Sequence, residues 1–300
     1  MKYKLEKGTK DKVNKYSNLT YPSYREKLGK LNDNIIVLGC DLQSTPIGLA
    51  LAETSSAGNK AEILSLFVIP EFREQGVGKL LLEGIEKELL AKNCKEIKVV
   101  YTENTTTSAW EKILAEQNWN SPEPRMLVAR SDCMAKENQS LKEYVCKILK
   151  KIPLPSDFNI FPWVELSDKN KDEIAQQNKF KYPKILNPFQ EEDKIEPLNS
   201  LALSYQGGVV GWLVNHRLDS ATIRYTSLFI KEDLKLVGRT PIGIPLLFNG
   251  FLLQIEKSEA KQGIFTVKAD NLAMLRLTQK TIKPYLASCK WSKQSFKQLA

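Results

Sequence analysis

The sequence predicts an α/β fold of the α+β kind: two similar domains, each with a central, mostly antiparallel, twisted mixed sheet flanked by helices. Three observations lead there. Residues 61–90 read AEILSLFVIPEFREQGVGKLLLEGIEKELL, a strand, a glycine-containing turn and a helix in succession. Two further strand-like runs joined by turns precede this unit and make an antiparallel meander. The landmarks of the first half then recur in the second at almost the same separations, and a period near half the chain length implies tandem copies of one domain.

Residues 2–7 alternate in the manner of a strand. Thr9-Lys10-Asp11 reads as a turn or cap before a short helical region through Leu28, broken by Pro22. Residues 34–40 (NIIVLGC) and 46–53 (PIGLALAE) are strand-like, and 54–60 (TSSAGNK) form a polar turn. The run Ile63–Ile69 is short and apolar enough for a buried strand. Pro70 ends it, because proline has no N–H for the sheet ladder. Apolar residues at Val77, Leu81, Ile85 and Leu89 mark one helical face. Residues 96–101 (EIKVVY) form a fresh strand, and Ser108-Ala109-Trp110-Glu111 has the capping-box form for a helix to about Gln117. Pro122-Glu123-Pro124 is a loop, and residues 125–130 (RMLVAR) are the last strand of the first copy.

A second capping box, Ser140-Leu141-Lys142-Glu143, opens an amphipathic helix with an apolar stripe at Leu141, Tyr144, Val145, Ile148 and Leu149. The expected division is therefore a domain at 1–133, a linker helix at 134–155 and a second domain at 156–300. Ser65-Leu66-Phe67-Val68 recurs as Ser227-Leu228-Phe229-Ile230, Ile47-Gly48-Leu49 as Val210-Gly211-Trp212, and Asn104 as Asn271.

Composition removes several chemistries. His216 is the single histidine, and five cysteines are scattered without CxxC pairs. Ser-His-Asp, Cys-His and zinc chemistry are thereby disfavoured, and no metal is expected. The odd, scattered cysteines suit a reduced, cytoplasmic setting, and no apolar run is long enough to span a bilayer. The net charge of +9 comes from lysines spread along the chain among acids, a solvated surface rather than a nucleic-acid patch.

The turn after the first motif strand holds Arg73-Glu74-Gln75-Gly76-Val77-Gly78-Lys79. A helix start leaves backbone N–H groups without partners and carries partial positive charge, and glycines let a phosphate approach. The turn is neither GxGxxG nor a P-loop. The string Val68-Ile69-Pro70-Glu71-Phe72-Arg73-Glu74-Gln75-Gly76-Val77-Gly78-Lys79-Leu80-Leu81 resembles motif A of the GNAT family of N-acetyltransferases, with Arg73, Gly76 and Gly78 at the fixed positions.

That resemblance implies acetyl-CoA as cosubstrate, with its pyrophosphate on the backbone of Arg73, Glu74, Gln75, Gly76, Val77, Gly78 and Lys79. Phe67 or Val68 would offer an N–H to the thioester oxygen, and Asn104 falls where the family's motif B begins. The implied activity is N-acetyl transfer to a primary amine, on a small molecule or a peptide, by direct attack in a ternary complex. Glu62, eleven residues before Arg73, stands at the spacing of the catalytic glutamate of one family branch, and equally suits a solvent-facing strand position. Tyr101 and Glu103 are further candidates for proton transfer, Tyr101 also suiting a packed core. The tyrosine that often protonates the leaving thiolate falls near Leu114, which cannot donate a proton. An alternative is therefore a CoA-binding or partner-binding tandem module with weak or no turnover. In the second copy the motif reads Lys235-Leu236-Val237-Gly238-Arg239-Thr240, with Pro241 and Pro245 following, so CoA binding there is expected to be poor.

Overall fold

The computed structural model describes residues 3–9, 11–132, 139–176 and 181–299. In chain order the first half comprises β1 (Lys4–Lys7), a 3-10 turn (Val13–Leu19), α1 (Pro22–Gly29), β2 (Ile35–Leu42), β3 (Thr45–Thr54), β4 (Lys60–Val68), α2 (Val77–Ala91), β5 (Glu96–Thr102), α3 (Thr107–Glu116) and β6 (Glu123–Asp132). The remainder comprises α4 (Gln139–Lys151), β7 (Phe158–Pro162), α5 (Asp168–Ala175), β8 (Leu201–Tyr205), β9 (Gly208–Arg217) and β10 (Thr222–Ile230). It continues with a small hairpin of β11 (Leu236–Val237) and β12 (Thr240–Pro241), then α6 (Gly243–Lys257), β13 (Gln262–Lys268), α7 (Leu272–Leu277) and β14 (Ser288–Gln298).

Two compact units divide these elements: Met1–Met126 with Lys290–Ala300, and Leu127–Cys289. The first has the strand order β1-β2-β3-β4-β5-β14. All its pairings are antiparallel except β4 with β5. β2 and β3 are buried on both faces, so they read as near-continuous apolar runs. On one face Val13, Tyr16, Leu19 and Leu28 pack on Val37, Leu49 and Leu51. On the other, α2 and α3 bring Val77, Leu81, Ile85, Leu89 and Leu114 onto Ile36, Leu38, Ala50 and Ile63. Pro22 divides the N-terminal helical region as expected and does so as the first residue of α1, where its missing N–H costs nothing.

The second unit orders its strands β6-β13-β10-β9-β8-β7, with β10 and β13 parallel. Trp163, Tyr182, Trp212 and Phe229 dominate one core cluster, and Trp212 stacks on Phe229 at 4.5 Å. α4 packs on α6: Tyr144 meets Phe248 edge-on at 6.3 Å and stacks on Tyr285 at 4.4 Å. The side chain of Ser140, the start of the second capping box, lies outside the described residues.

Two expectations change. The strand read as the last of the first copy, β6, starts earlier than expected, and from Leu127 onward it belongs to the second unit beside β13. Its place beside β5 is taken by β14, which pairs from Ser292↔Thr102 to Gln298↔Glu96. The compact units therefore follow limits different from 1–133 and 156–300. The capping box at Ser108 is also not used. Asn104 makes the turn instead: its Oδ1 accepts from Thr106 N–H at 2.8 Å, and its own N–H donates to Thr107 Oγ1 at 2.8 Å. Glu111 is thereby left for other partners.

Candidate acyl-transfer site

β4 runs antiparallel to β3 with one irregularity: Ala52 faces Ile63 and Leu51 faces Ser65, so Leu64 bulges. Its parallel pairing with β5 covers only Lys60–Ile63 against Glu96–Val99, while β5 continues to Thr102 along β14. β4 and β5 thus part after Ile63, and the gap is bordered by Leu64–Val68 on one side and Val100–Thr102 on the other.

Along β4 the amides alternate sides. Ile69 N–H bonds Ile47 O at 3.0 Å on the β3 side, which puts Phe67 N–H on that side too. The N–H groups of Val68 and Leu66 face the gap. Of the expected pair, Phe67 thus turns its N–H to β3 and Val68 to the gap, and Leu66, absent from the sequence reading, faces the gap as well. Phe67 instead lies under the Arg73 guanidinium at 5.8 Å, while Arg73 Nε donates to Val68 O at 3.0 Å. Arg73 thus ties the turn to the end of its strand.

The turn spends the Arg73 N–H on Pro70 O at 3.2 Å, so Arg73 offers no backbone donor, and beyond it the turn is held by side chains. Gln75 Nε2 donates to Glu71 O at 3.0 Å, and Gln75 Oε1 accepts from the Tyr3 hydroxyl at 2.7 Å. Glu74 and Gly76 have positive φ, 60° and 82°, a conformation glycine adopts without strain. Val77 is buried beneath the helix start, and Lys79 pairs with Glu116 at 3.2 Å. The first bonded amide of the helix is Leu80, to Gly76 O at 2.9 Å. Among the described residues none accepts from the backbone N–H of Gln75, Gly76, Val77, Gly78 or Lys79, and Gly76 supplies no side-chain cap. A Cβ on Gly78 would stand 3.3 Å from Ile113 Cδ1 and 4.0 Å from Val68 Cγ2, so helix start, gap and α3 converge there. Five amides and a helix dipole fit a diphosphate.

The predicted proton-transfer residues separate into two places. Glu62 sits where β4 and β5 are still paired, opposite Glu53, and forms an ion pair with Lys98 at 2.8 Å. Tyr101 and Glu103 lie at the far end of β5. The Tyr101 hydroxyl donates to Glu111 Oε1 at 2.9 Å, and its ring meets Trp110 edge-on at 6.4 Å. Burial, reinforced by Glu111, pushes the phenol far above its usual range. Glu103 accepts from Trp291 N–H at 3.1 Å and pairs with Lys293 at 3.0 Å. Burial acts to raise its pKa, but these two partners outweigh it and hold the carboxyl below its usual range. Glu111 and Lys293 are functional candidates absent from the sequence reading. Lys293 lies 182 positions from Glu111, beyond any local pattern. Asn104 is present where expected, but its Oδ1 is used in the turn before α3. Leu114 is fully buried. Cys40 and Cys94 are buried thiols, Cys40 pushed up to about 11, which leaves little thiolate for nucleophilic attack.

The second unit repeats the parting of strands but not the cradle. β10 pairs with β13 over Thr222–Tyr225 and bulges at Thr226, as β4 does at Leu64. The β11–β12 hairpin then intervenes, turning at Gly238 with φ 60°, and Ile242 N–H is spent on Lys235 O at 3.1 Å. Pro245 sits in the first turn of α6, where it removes a donor.

Residues 6–112 match the Acetyltransferase (GNAT) family. A tandem GNAT protein from the clavulanic acid biosynthesis pathway superposes with a TM-score of 0.61 at 11% identity, covering 99% of this chain and 98% of the other. A GCN5-related N-acetyltransferase from Sphaerobacter thermophilus superposes with a TM-score of 0.59 at 13% identity, covering 99% and 95%. No curated protein matches the chain in sequence. The GNAT fold supports acyl transfer in general terms, and among the described residues no cluster of His, Cys, Asp and Glu could hold a metal ion. The match to the Acetyltransferase (GNAT) family thus lies over residues 6–112, and the chain has the fold seen in a tandem GNAT protein.

Proposed function

We propose that the first unit binds acetyl-CoA and acetylates a primary amine, the acceptor attacking directly in a ternary complex. The observation that carries this reading is the row of unpartnered amides from Gln75 to Lys79 opening beside the gap between β4 and β5. The amides receive the pyrophosphate, and Lys79 adds a point charge on exchanging its exposed Glu116 partner for the phosphate. Val68 and Leu66 present N–H groups toward the thioester carbonyl and stabilise the charge that develops on its oxygen. Acetyl-CoA supplies an activated acetyl group there: a C–N bond forms, the C–S bond breaks, one proton leaves nitrogen and one ends on sulfur. Glu62, a carboxylate paired with Lys98 and about 13 Å along the strand from Leu66, is beyond the reach of one bridging water and accepts the amine proton through a chain of several.

A second reading has its own support. Leu114 cannot protonate a thiolate, and the Tyr101 proton is committed to Glu111, so the first unit could bind CoA without turnover. Acetyl-CoA titration of wild type and of Gly76→Asp plus Gly78→Asp tests the site. Equal binding by the two defeats both readings. Thiol release across a panel of amines then separates them, because binding without release leaves only the module.

A further inference from the structure

Lys293 faces Tyr101 across the β14–β5 register. Its Nζ lies 3.0 Å from Glu103 Oε1 and 3.0 Å from Glu111 Oε1, and that Glu111 oxygen also accepts the Tyr101 phenol at 2.9 Å. One ammonium thus joins carboxylates from β5 and α3, on a side chain only 20% exposed. The carboxylates raise the Lys293 pKa against the opposing effect of burial, so the ammonium stays charged. Tyr101 lies two residues beyond Val99, the last β5 residue paired with β4, so the array stands where the strands have parted. Trp110 packs on Tyr101, and Ile113 of the same helix faces Gly78. The array is therefore linked through α3 to the amide cradle.

We propose that Lys293 is a positioning residue of the acyl-transfer site, holding the Glu103 and Glu111 carboxylates in place along the gap and, through Glu111, the Tyr101 hydroxyl. The role rests on the transferase reading above. Two carboxylates and one ammonium leave one net negative charge, suited to drawing in a protonated amine. Without the ammonium the carboxylates repel each other and one takes up a proton at higher pH.

The test compares wild type, Lys293→Met, Lys293→Arg and Lys297→Met in acetyl-CoA thiol release with a polyamine, an amino sugar and an N-terminal peptide amine. Lys297→Met is the control for strand attachment, since Lys297 anchors β14 through Glu86 rather than through this array. Lys293→Met is expected to lose about 10-fold or more in kcat, with KM for acetyl-CoA within about 2-fold and the acid limb of the pH profile moved upward. Lys293→Arg is expected to restore activity to within about 3-fold, because its charge persists. Lys297→Met is expected to lower the melting temperature and leave kcat in place. A Lys293→Met enzyme with wild-type kcat and pH profile, and only a lowered melting temperature, overturns the positioning role. Absence of thiol release by wild type on every amine overturns the transferase reading beneath it.

Discussion

The turn over residues 69–76 and the turn over residues 231–242 leave their sheets at the same register. Val68 faces Gly48 as Ile230 faces Gly211, and Phe67 faces Leu49 as Phe229 faces Trp212. Both glycines are needed for close packing: a Cβ on Gly48 would come 3.2 Å from Phe67 O, and one on Gly211 2.5 Å from Phe229 O. Beyond that point the two copies diverge. The first holds positive φ at Glu74 and Gly76 and leaves its amides open, whereas the second folds a hairpin and bonds Ile242 inward. Strand register is fixed by buried side chains, and a slip would turn the core outward. An anion cradle rests on a few backbone positions, so a copy can lose it while the sheet persists.

The largest expected effect strikes at that difference. Gly76→Asp plus Gly78→Asp introduces strain at φ 82°, a tight contact near Ile113 and two like charges at the cradle. Acetyl-CoA should bind about 100-fold more weakly, a loss near 3 kcal/mol. Gly238→Asp in the second copy should leave binding unchanged, and calorimetric titration of both variants makes the comparison.

Next come the ion pairs that fasten each unit. Lys297 lies 2.5 Å from Glu86 Oε2, with the Glu86 side chain 10% exposed and its other oxygen accepting from Trp119 Nε1 at 2.7 Å. Lys297→Met strands a buried carboxylate and should destabilise by about 3 kcal/mol in urea unfolding. Arg217→Met, which frees Glu196 in the second unit, should cost about half of that. The guanidinium there is 35% exposed, and solvent screens the pair.

The units should also differ in acid. His216 is buried, with Nε2 against Gln190 O at 2.7 Å and Nδ1 against Thr226 Oγ1 at 2.7 Å, and burial lowers its pKa below 6.5. The unfolded chain then binds the proton more readily, so stability present above pH 6.5 declines as pH falls below it. The slope is about 1.4 kcal/mol per pH unit until the folded-state pKa is reached. Glu103, whose pKa is lowered from 4.5, contributes stability that persists to that pH and is lost only in stronger acid. Urea midpoints between pH 7 and 3 for wild type, His216→Gln and Glu103→Gln should therefore converge in two separate windows. The smallest effects are expected at the helix-starting asparagines. Asn271 Oδ1 accepts from Met274 N–H at 3.1 Å, and Asn104→Ala or Asn271→Ala should each cost about 1 kcal/mol.

Much of this architecture is legible in the sequence. The apolar run ending at Pro70, the glycines at 76 and 78 and the recurrence of Ser-Leu-Phe at 65 and 227 located strand, turn, helix and repeat, because each is a local pattern. What escaped is non-local or depends on hydrogen-bond direction. The bulge at Leu64, which turns Leu66 rather than Phe67 toward the gap, leaves no mark in composition. Glu111 sits three residues after Ser108 and so suggests a cap, yet its carboxylate is drawn to Tyr101 and to a lysine on β14. The exchange of β6 and β14 is likewise invisible, since each has an ordinary strand composition and only its neighbour differs.

That exchange has a consequence for biosynthesis. From the end of α3 at Glu116 to the start of β14 at Ser288 the ribosome must add about 170 residues, roughly 10–35 s of elongation. Throughout that interval β5 has no neighbour on its outer side, and its free amides and carbonyls offer a docking edge to any nascent strand nearby. Crowding of translating copies should therefore favour mispaired, interlocked chains, and a chaperone that shields β5 would raise the yield of correctly closed protein.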